Sequence, residues 1–173
     1  MTEMNFARSD NFLIQLVYGI LHNRVLMSAL VAWIIAAIAK AFVTLIAYRR
    51  IRLEDFLGTG GMPSTHTSPV ACAALMLGFM EGFRSTEFGI GVILLIIVMW
   101  DASGIRRAAG RHARAINMIF RSLVEREQIS KAQLIMLREL LGHEPIEVAG
   151  GALIGLLTAF YVYAGEWFAR SNP

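Results

Sequence analysis

Two short polar turns carry the residue types needed for chemistry on an anion. One turn covers residues 60–67 and the other covers residues 142–147, and each places a histidine just before a strongly apolar run. Imidazole can act as nucleophile, acid or base near neutral pH. A helix N-terminus adds free N–H groups and the positive end of the helix dipole, which favour an anion. We therefore interpret His66 and His143 as facing each other across a phosphate.

Cleavage of a phosphate ester needs an in-line nucleophile, an acid for the leaving oxygen, and cations or N–H donors on the other oxygens. Glu147 follows His143 by one helical turn and is placed to fix its tautomer. We predict that His143 attacks phosphorus and that His66 protonates the leaving alkoxide and then activates water. Asp101 joins this catalytic set, either directly or through an ion pair that closes its helix. The predicted phosphate-binding residues are Lys40, Ser64, Thr65, Arg106, Arg107 and Arg138.

The two histidines face one physical conflict. The positive end of a helix dipole disfavours an imidazolium, which suits a neutral nucleophile at His143 but opposes an acid at His66. A bound phosphate dianion would raise the proton affinity of His66. We therefore expect the acid to form in the complex with substrate.

Composition places these turns in a membrane protein. The chain has 173 residues, of which 56% are hydrophobic and 17% charged, which is too apolar for an ordinary soluble domain of this length. We predict an all-α fold in a single domain, residues 1–173, with four transmembrane helices at about 26–48, 67–83, 88–104 and 146–168. An amphipathic N-terminal segment over Phe12 to Leu21 is expected to lie along the interface, and a helical hairpin is expected over about 105–141.

The distribution of cations predicts the orientation. Four spans leave both termini on one side of the membrane, while the loop after Tyr48 and the long loop after Gly104 lie on the other side and carry most of the Lys and Arg residues. The positive-inside rule then puts both polar turns on the cytoplasmic face and both termini opposite. We expect an integral, multi-pass protein of a bacterial inner membrane.

The motifs resemble those of a known superfamily. The segment Pro63-Ser64-Thr65-His66 is similar to the Pro-Ser-Gly-His element of the type 2 phosphatidic acid phosphatases, which are related to bacterial acid phosphatases and vanadium haloperoxidases. Arg138, His143 and Glu147 resemble its last motif, and Lys40 resembles the lysine of its first. Together with the segments 101–107 and 140–147, the set most resembles the divergent membrane branch of that superfamily, from about Arg24 to Tyr163.

This resemblance implies a phosphohistidine intermediate at His143, with Glu147 as its orienting partner and His66 as acid and base. It implies no metal or other cofactor, and a lipid phosphate or prenyl (pyro)phosphate as substrate. The chain departs from the pattern in its anion clamp. Thr65 replaces a glycine, Glu147 replaces an aspartate, Arg138 stands five rather than six residues before His143, and no Arg-Pro follows Lys40. We expect Arg106 or Arg107 to take the place of the missing arginine.

Two other functions stay open at the level of sequence. A membrane scaffold could keep the anion site without turnover, because the departures fall on clamp residues. A metal-dependent membrane hydrolase could use His66, Asp101, His143 and Glu147, although the two histidines lack the i, i+4 spacing of a helix-borne zinc pair. Nucleic acid is not an expected partner, since no aromatic residues interleave the basic segment. The expected partners are a lipid phosphate and membrane lipids, and the sequence does not fix an oligomeric state.

Overall fold

The predicted all-α class is confirmed. The computed structural model describes residues 12–49, 61–126, 137 and 142–171, without the side chains of Tyr48, Glu166 and Arg170, and all regular structure in these ranges is helical. The helices are α1 (Phe12–His22), α2 (Arg24–Tyr48), α3 (Thr67–Glu81), α4 (Thr86–Trp100), a π-helical turn (Asp101–Ile105), α5 (Arg106–Glu125) and α6 (Pro145–Ser171).

Three helical runs in the described part are long and apolar enough to cross a membrane. They are Arg24–Ala47, Thr86–Glu125 and Pro145–Ala169. The two shorter apolar helices are α1, in which no residue is buried, and α3. The 15 residues of α3 extend over about 22 Å, which is less than the hydrocarbon core of about 30 Å. Length and composition alone therefore mark three of the four predicted spans.

The bundle is built from small residues inside and large apolar residues outside. Its core cluster consists of Ala32, Cys72, Met76 and Ala159, whereas most isoleucine, leucine and phenylalanine side chains of α2, α4 and α6 are exposed. Exposing so many large side chains to water would cost about 2 kcal/mol for each one. The same surface is stable against lipid tails, and small interior residues let the helix backbones approach closely.

Helix α3 lies at the centre of the bundle and packs against α2, α4 and α6. A Cβ on Gly151 would collide with the carbonyl oxygen of Ser64, and one on Gly155 would collide with that of Ser68. The Ser68 hydroxyl in turn donates to the carbonyl oxygen of Ala32, at 3.0 Å. The short helix is thus held at its N-terminal end by both long neighbours, where the first polar turn enters it.

The third span is predicted to end near residue 104, but in the structure its helix continues past that residue. Helices α4 and α5 form one continuous run of 40 residues through the π-helical turn, which spans about 60 Å and so extends well beyond a hydrocarbon core. The predicted boundary at residues 104–105 lies inside this π-helical turn. Gly104 is part of the turn and does not end the helix. Of the second half of the predicted hairpin, residues 127–136 and 138–141 lie outside the described residues.

Candidate active site

The turn before α6 fixes the His143 ring from one side. Its Nδ1 lies 3.0 Å from Oε2 of Glu147, and the same oxygen accepts the backbone N–H of Glu144, also at 3.0 Å. Glu147 is the third residue of α6, so its carboxylate reaches back to the residue that precedes the helix, as in half of a capping box. A carboxylate can only accept hydrogen bonds, so the neutral ring carries its proton on Nδ1 and leaves the lone pair on Nε2.

The backbone of the same turn is anchored to the π-helical turn. The N–H of His143 donates to the carbonyl oxygen of Ala102 at 2.9 Å. Gly142 has a φ of 93° and touches the backbone of Arg106 and Arg107 so closely that any Cβ would collide with it. Only glycine meets both conditions without strain. The His143 turn therefore depends on close backbone contact with the end of the third span.

The turn before α3 is built on Ser64. The Ser64 hydroxyl accepts the N–H of Thr67 at 3.3 Å and lies 3.0 Å from the Thr67 hydroxyl, so it caps the first turn of α3. The Ser64 N–H donates to the carbonyl oxygen of Glu147 at 2.9 Å. This bond joins the two histidine turns directly. His66 follows at the N-cap position, with an exposed side chain that makes no capping hydrogen bond.

The two histidine rings face each other. Their centroids lie 6.5 Å apart with an interplanar angle of 61°. Lys40 enters the same space from α2: it is only 3% exposed, and its Cε lies 3.4 Å from where a Cβ on Gly61 would stand. A lysine that snorkels to the headgroups would not be buried in this way. The structure thus places Lys40 beside the predicted site.

Asp101 and Arg106 form an ion pair, with Nε of Arg106 2.7 Å from Oδ2 of Asp101. Residues five apart lie about 140° apart around an α-helix. Here the N–H of Arg106 bonds to the carbonyl of Asp101 across the π-helical turn, so the two residues stack one above the other. The π-helical turn is therefore what brings the pair together, and Arg106 then lies close enough to His66 to act on its pKa.

Burial lowers the pKa of His143 below its ordinary value of 6.5. The hydrogen bond and charge of Glu147 oppose this effect, and the charge of Lys40 adds to it. The pKa of His66 is also lowered, first by the protein packed around a ring that still opens to solvent, and then by the charges of Arg106, His143 and Lys40. Both rings are therefore poised to be neutral at pH 7, and an incoming dianion would shift His66 in the opposite direction.

The other ring nitrogen of His143, Nε2, is buried and makes no hydrogen bond of good geometry with any described residue. The backbone of Gly61 lies close to the ring and favours its protonated form, so it is a weak partner at most. A buried polar atom without a partner costs about 1–3 kcal/mol. Such an atom in a ring beside a second histidine and close to Lys40 is a candidate reacting atom rather than a structural one.

Not every predicted residue lies in this space. Ser64 and Thr65 are buried, and the hydrogen-bonding groups of Ser64 already serve the cap and the bond to Glu147. The Arg107 side chain is exposed, and its backbone is what meets Gly142. Arg138 lies outside the described residues. No three of the His, Cys, Asp and Glu side chains in the described ranges come together as a metal site would require, so the set of four considered for a metal is not assembled.

Two contributors to the site give no signal in the sequence. The Gly61 backbone beside Lys40 and the Ala102 carbonyl act through the main chain, and side-chain types do not reveal either of them.

The fold and site together define a membrane-embedded helical protein with a two-histidine, cation-lined site at its helix ends. The chain belongs to the divergent PAP2 family, whose sequence profile matches residues 21–158. It is also similar to the uncharacterized membrane protein YuiD of Bacillus subtilis (strain 168), with 35% identity over 151 residues that cover 80% of this chain and 92% of the relative. No solved structure matches the chain. The resemblance seen in the motifs is thereby confirmed.

Proposed function

We propose that this protein is a metal-independent phosphatase of a lipid phosphate or prenyl (pyro)phosphate, acting through a phosphohistidine. The observation that carries the proposal is the state of His143: Glu147 holds Nδ1, Nε2 is buried without a hydrogen bond of good geometry among the described residues, and the ring centroid lies 6.5 Å from that of His66. An imidazole held in one tautomer by a carboxylate is an activated nucleophile. Membership of the family supports the same chemistry.

The reaction proceeds in two displacements. Nε2 attacks phosphorus, a P–N bond forms, and the P–O bond to the lipid breaks while His66 gives its proton to the leaving alkoxide. Water then attacks the phosphohistidine, His66 takes the proton of that water, and the P–N bond breaks. The products are inorganic phosphate and the lipid alcohol, or the lipid monophosphate when the substrate is a pyrophosphate. Because Nε2 is closed off by its surroundings, the Gly61 backbone or the Lys40 side chain shifts as the phosphate enters.

The cations stabilise charge on the transferring phosphoryl group. The charges of Lys40, on α2, and Arg106, on α5, both lower the pKa of His66. Asp101 holds Arg106 in place through their ion pair. We propose that Arg106 takes the place of the arginine missing after Lys40. The dianion also restores the proton on His66 that the same cations disfavour in the free protein. Arg138 stays a predicted phosphate ligand.

We further propose a single membrane domain, residues 1–173, with four spans, both histidine turns on the cytoplasmic side of a bacterial inner membrane, and both termini opposite. The distribution of Lys and Arg supports this orientation. Single cysteines introduced at Arg52 and Arg126, in a Cys72→Ser background, should both react with an impermeant reagent from the cytoplasmic side only. Labelling from opposite sides would contradict the four-span topology.

Phosphate release by the purified protein in detergent tests the function. We expect the wild type to hydrolyse members of a panel of lipid and prenyl phosphates, with activity retained in chelator. His143→Ala should lower the rate by roughly 10⁴-fold or more, as expected when a nucleophile is removed. Acid-labile label from a radioactive substrate should be trapped on the wild type but not on this variant.

Two results would contradict the proposal. Full activity in His143→Ala would exclude His143 as the nucleophile, and loss of wild-type activity in chelator would favour a metal-dependent hydrolase. His112→Ala, a change at an exposed histidine of α5, is the matched control and should retain wild-type activity. A folded wild type that binds inorganic phosphate but turns over no substrate would instead support an anion-binding scaffold.

A further inference from the structure

An apolar groove begins beside the His143 turn and follows the outside of the bundle. It encloses about 310 Å³ between α4, the π-helical turn and the first turn of α6. Its lining residues are Ile96, Met99, Trp100, Ser103, Pro145 and Val148. None of these residues has a role in the chemistry proposed above.

The groove and the candidate active site share the same backbone elements. Pro145 and Val148 flank Glu147 in the first turn of α6, and Ser103 follows Ala102, whose carbonyl holds the His143 N–H. The groove thus ends on the two elements that hold His143 and Arg106. A chain esterified to a phosphate in that site would meet this groove next to the elements that hold the site.

The lining is apolar except for the Ser103 hydroxyl and the indole N–H of Trp100. The only hydroxyl, on Ser103, donates to the carbonyl of Met99 at 2.7 Å and is used inside its own helix. The outer wall is formed by Trp100, which is 74% exposed, and Ile96, on a helical run long and apolar enough to cross a membrane. A groove of this kind on the flank of such a run is in contact with lipid chains and not with water.

We infer that this groove binds the hydrocarbon chain of the lipid phosphate, with the phosphate at His143 and the chain lying along α4 towards Ile96. The inference rests on the proposed function and adds to it the route of the tail. The protein then favours a long alkyl or prenyl chain over a short one, because only a long chain extends from Pro145 and Ser103 to Ile96.

A second apolar groove on the protein provides a comparison for this assignment. It has nearly the same volume, about 300 Å³, and is equally apolar, but it lies between α2, α3 and α4. Its lining approaches the His66 turn through Pro69 alone and includes no residue of α6 or the π-helical turn. Changes there provide a matched control for changes in the first groove.

The test compares two alkyl phosphates with the same leaving group, dodecyl phosphate and butyl phosphate, in the full-length protein. Ile96→Trp should fill the far end of the groove and lower kcat/KM for dodecyl phosphate roughly tenfold, while butyl phosphate changes less than about twofold. Met99→Phe should act in the same direction. Ala73→Leu, in the second groove, should leave the ratio of the two substrates at the wild-type value.

The possible outcomes distinguish a failure of the groove assignment from a failure of the proposed phosphatase function. Equal effects of Ile96→Trp on both substrates, or a larger effect of Ala73→Leu on the ratio, would overturn the groove assignment while the phosphatase activity stands. Absence of release from both esters by the wild type would count against the proposed function instead. In that case a dodecyl phosphate with a diazirine at the chain end decides: cross-links to residues 96–103 support the groove, and cross-links to the second groove overturn it.

Discussion

The His143 turn and the His66 turn place the same side chain at the start of a helix, but the protein holds the two in opposite ways. His143 is 2% exposed, its Nδ1 is bound by Glu147, and its backbone is bound by Ala102. His66 is exposed and makes no capping hydrogen bond. A nucleophile gains from being fixed before substrate arrives. An acid and base that must serve first the alkoxide and then water gains from an open position.

Among the substitutions that test this difference between the two turns, Glu147→Gln should have the largest effect on kcat. The amide keeps the size of the side chain but can donate to Nδ1, which allows the wrong tautomer and moves the lone pair away from Nε2. We expect kcat to fall roughly 10²- to 10⁴-fold, as when the orienting carboxylate of a catalytic histidine is replaced. Glu144→Gln, at the exposed neighbour that contributes only main-chain groups to the turn, is the control. Similar losses in both variants would mean that the turn, and not the tautomer, is sensitive.

The next largest effect depends on the leaving group of the substrate, and it distinguishes the role of His66 from that of His143. His66→Ala should lower kcat/KM for an alkyl phosphate roughly 10²- to 10³-fold, because alkoxide is a poor leaving group without an acid. Its loss on p-nitrophenyl phosphate should be much smaller, since nitrophenolate leaves without a proton. His143→Ala should abolish both reactions alike. An equal loss on both esters in His66→Ala would show that His66 binds phosphate and does not act as the acid.

The third effect compares the glycine of each turn. Gly142 and Gly61 both have positive φ, 93° and 84°, so alanine costs about 1 kcal/mol of strain at either position. At Gly142 the new Cβ also meets the backbone of Arg106 and Arg107, while at Gly61 it meets only the flexible end of Lys40. We expect Gly142→Ala to lower the unfolding temperature and the activity clearly more than Gly61→Ala. The reverse order would show that the His66 turn is the more rigid of the two.

The smallest effect is on the pH dependence of stability. Both histidines have a pKa lowered from 6.5, so the unfolded chain takes up protons first as the pH falls. The stabilisation they provide is therefore complete above about pH 6.5 and is lost progressively below it. The unfolding temperature in detergent should drop between about pH 7 and pH 5, and His143→Gln should flatten that drop while His112→Gln should not. Equal slopes in all three proteins would contradict the lowered pKa of His143.

Much of this protein is determined by the sequence alone. Apolar runs long enough for a membrane and the polar turns that precede them are local signals, and they predicted the all-α fold and the helix starts near Thr67 and Pro145. The pairing of His143 with Glu147 was also readable, since residues four apart share one face of a helix. The motifs around His66 and His143 also indicated the family.

The tertiary structure decided what depends on contacts between distant residues. The sequence predicts Lys40 as a phosphate ligand, but only the packing of α2 shows that it is buried beside Gly61, because sequence gives depth along a helix but not the direction of the side chain. The π-helical turn brings Arg106 next to Asp101, which an α-helical period does not predict, and the charge of Arg106 acts on His66. The bonds from Ser64 to Glu147 and from His143 to Ala102 use backbone atoms. Backbone atoms are the same in every residue, so only the fold could show which of them meet.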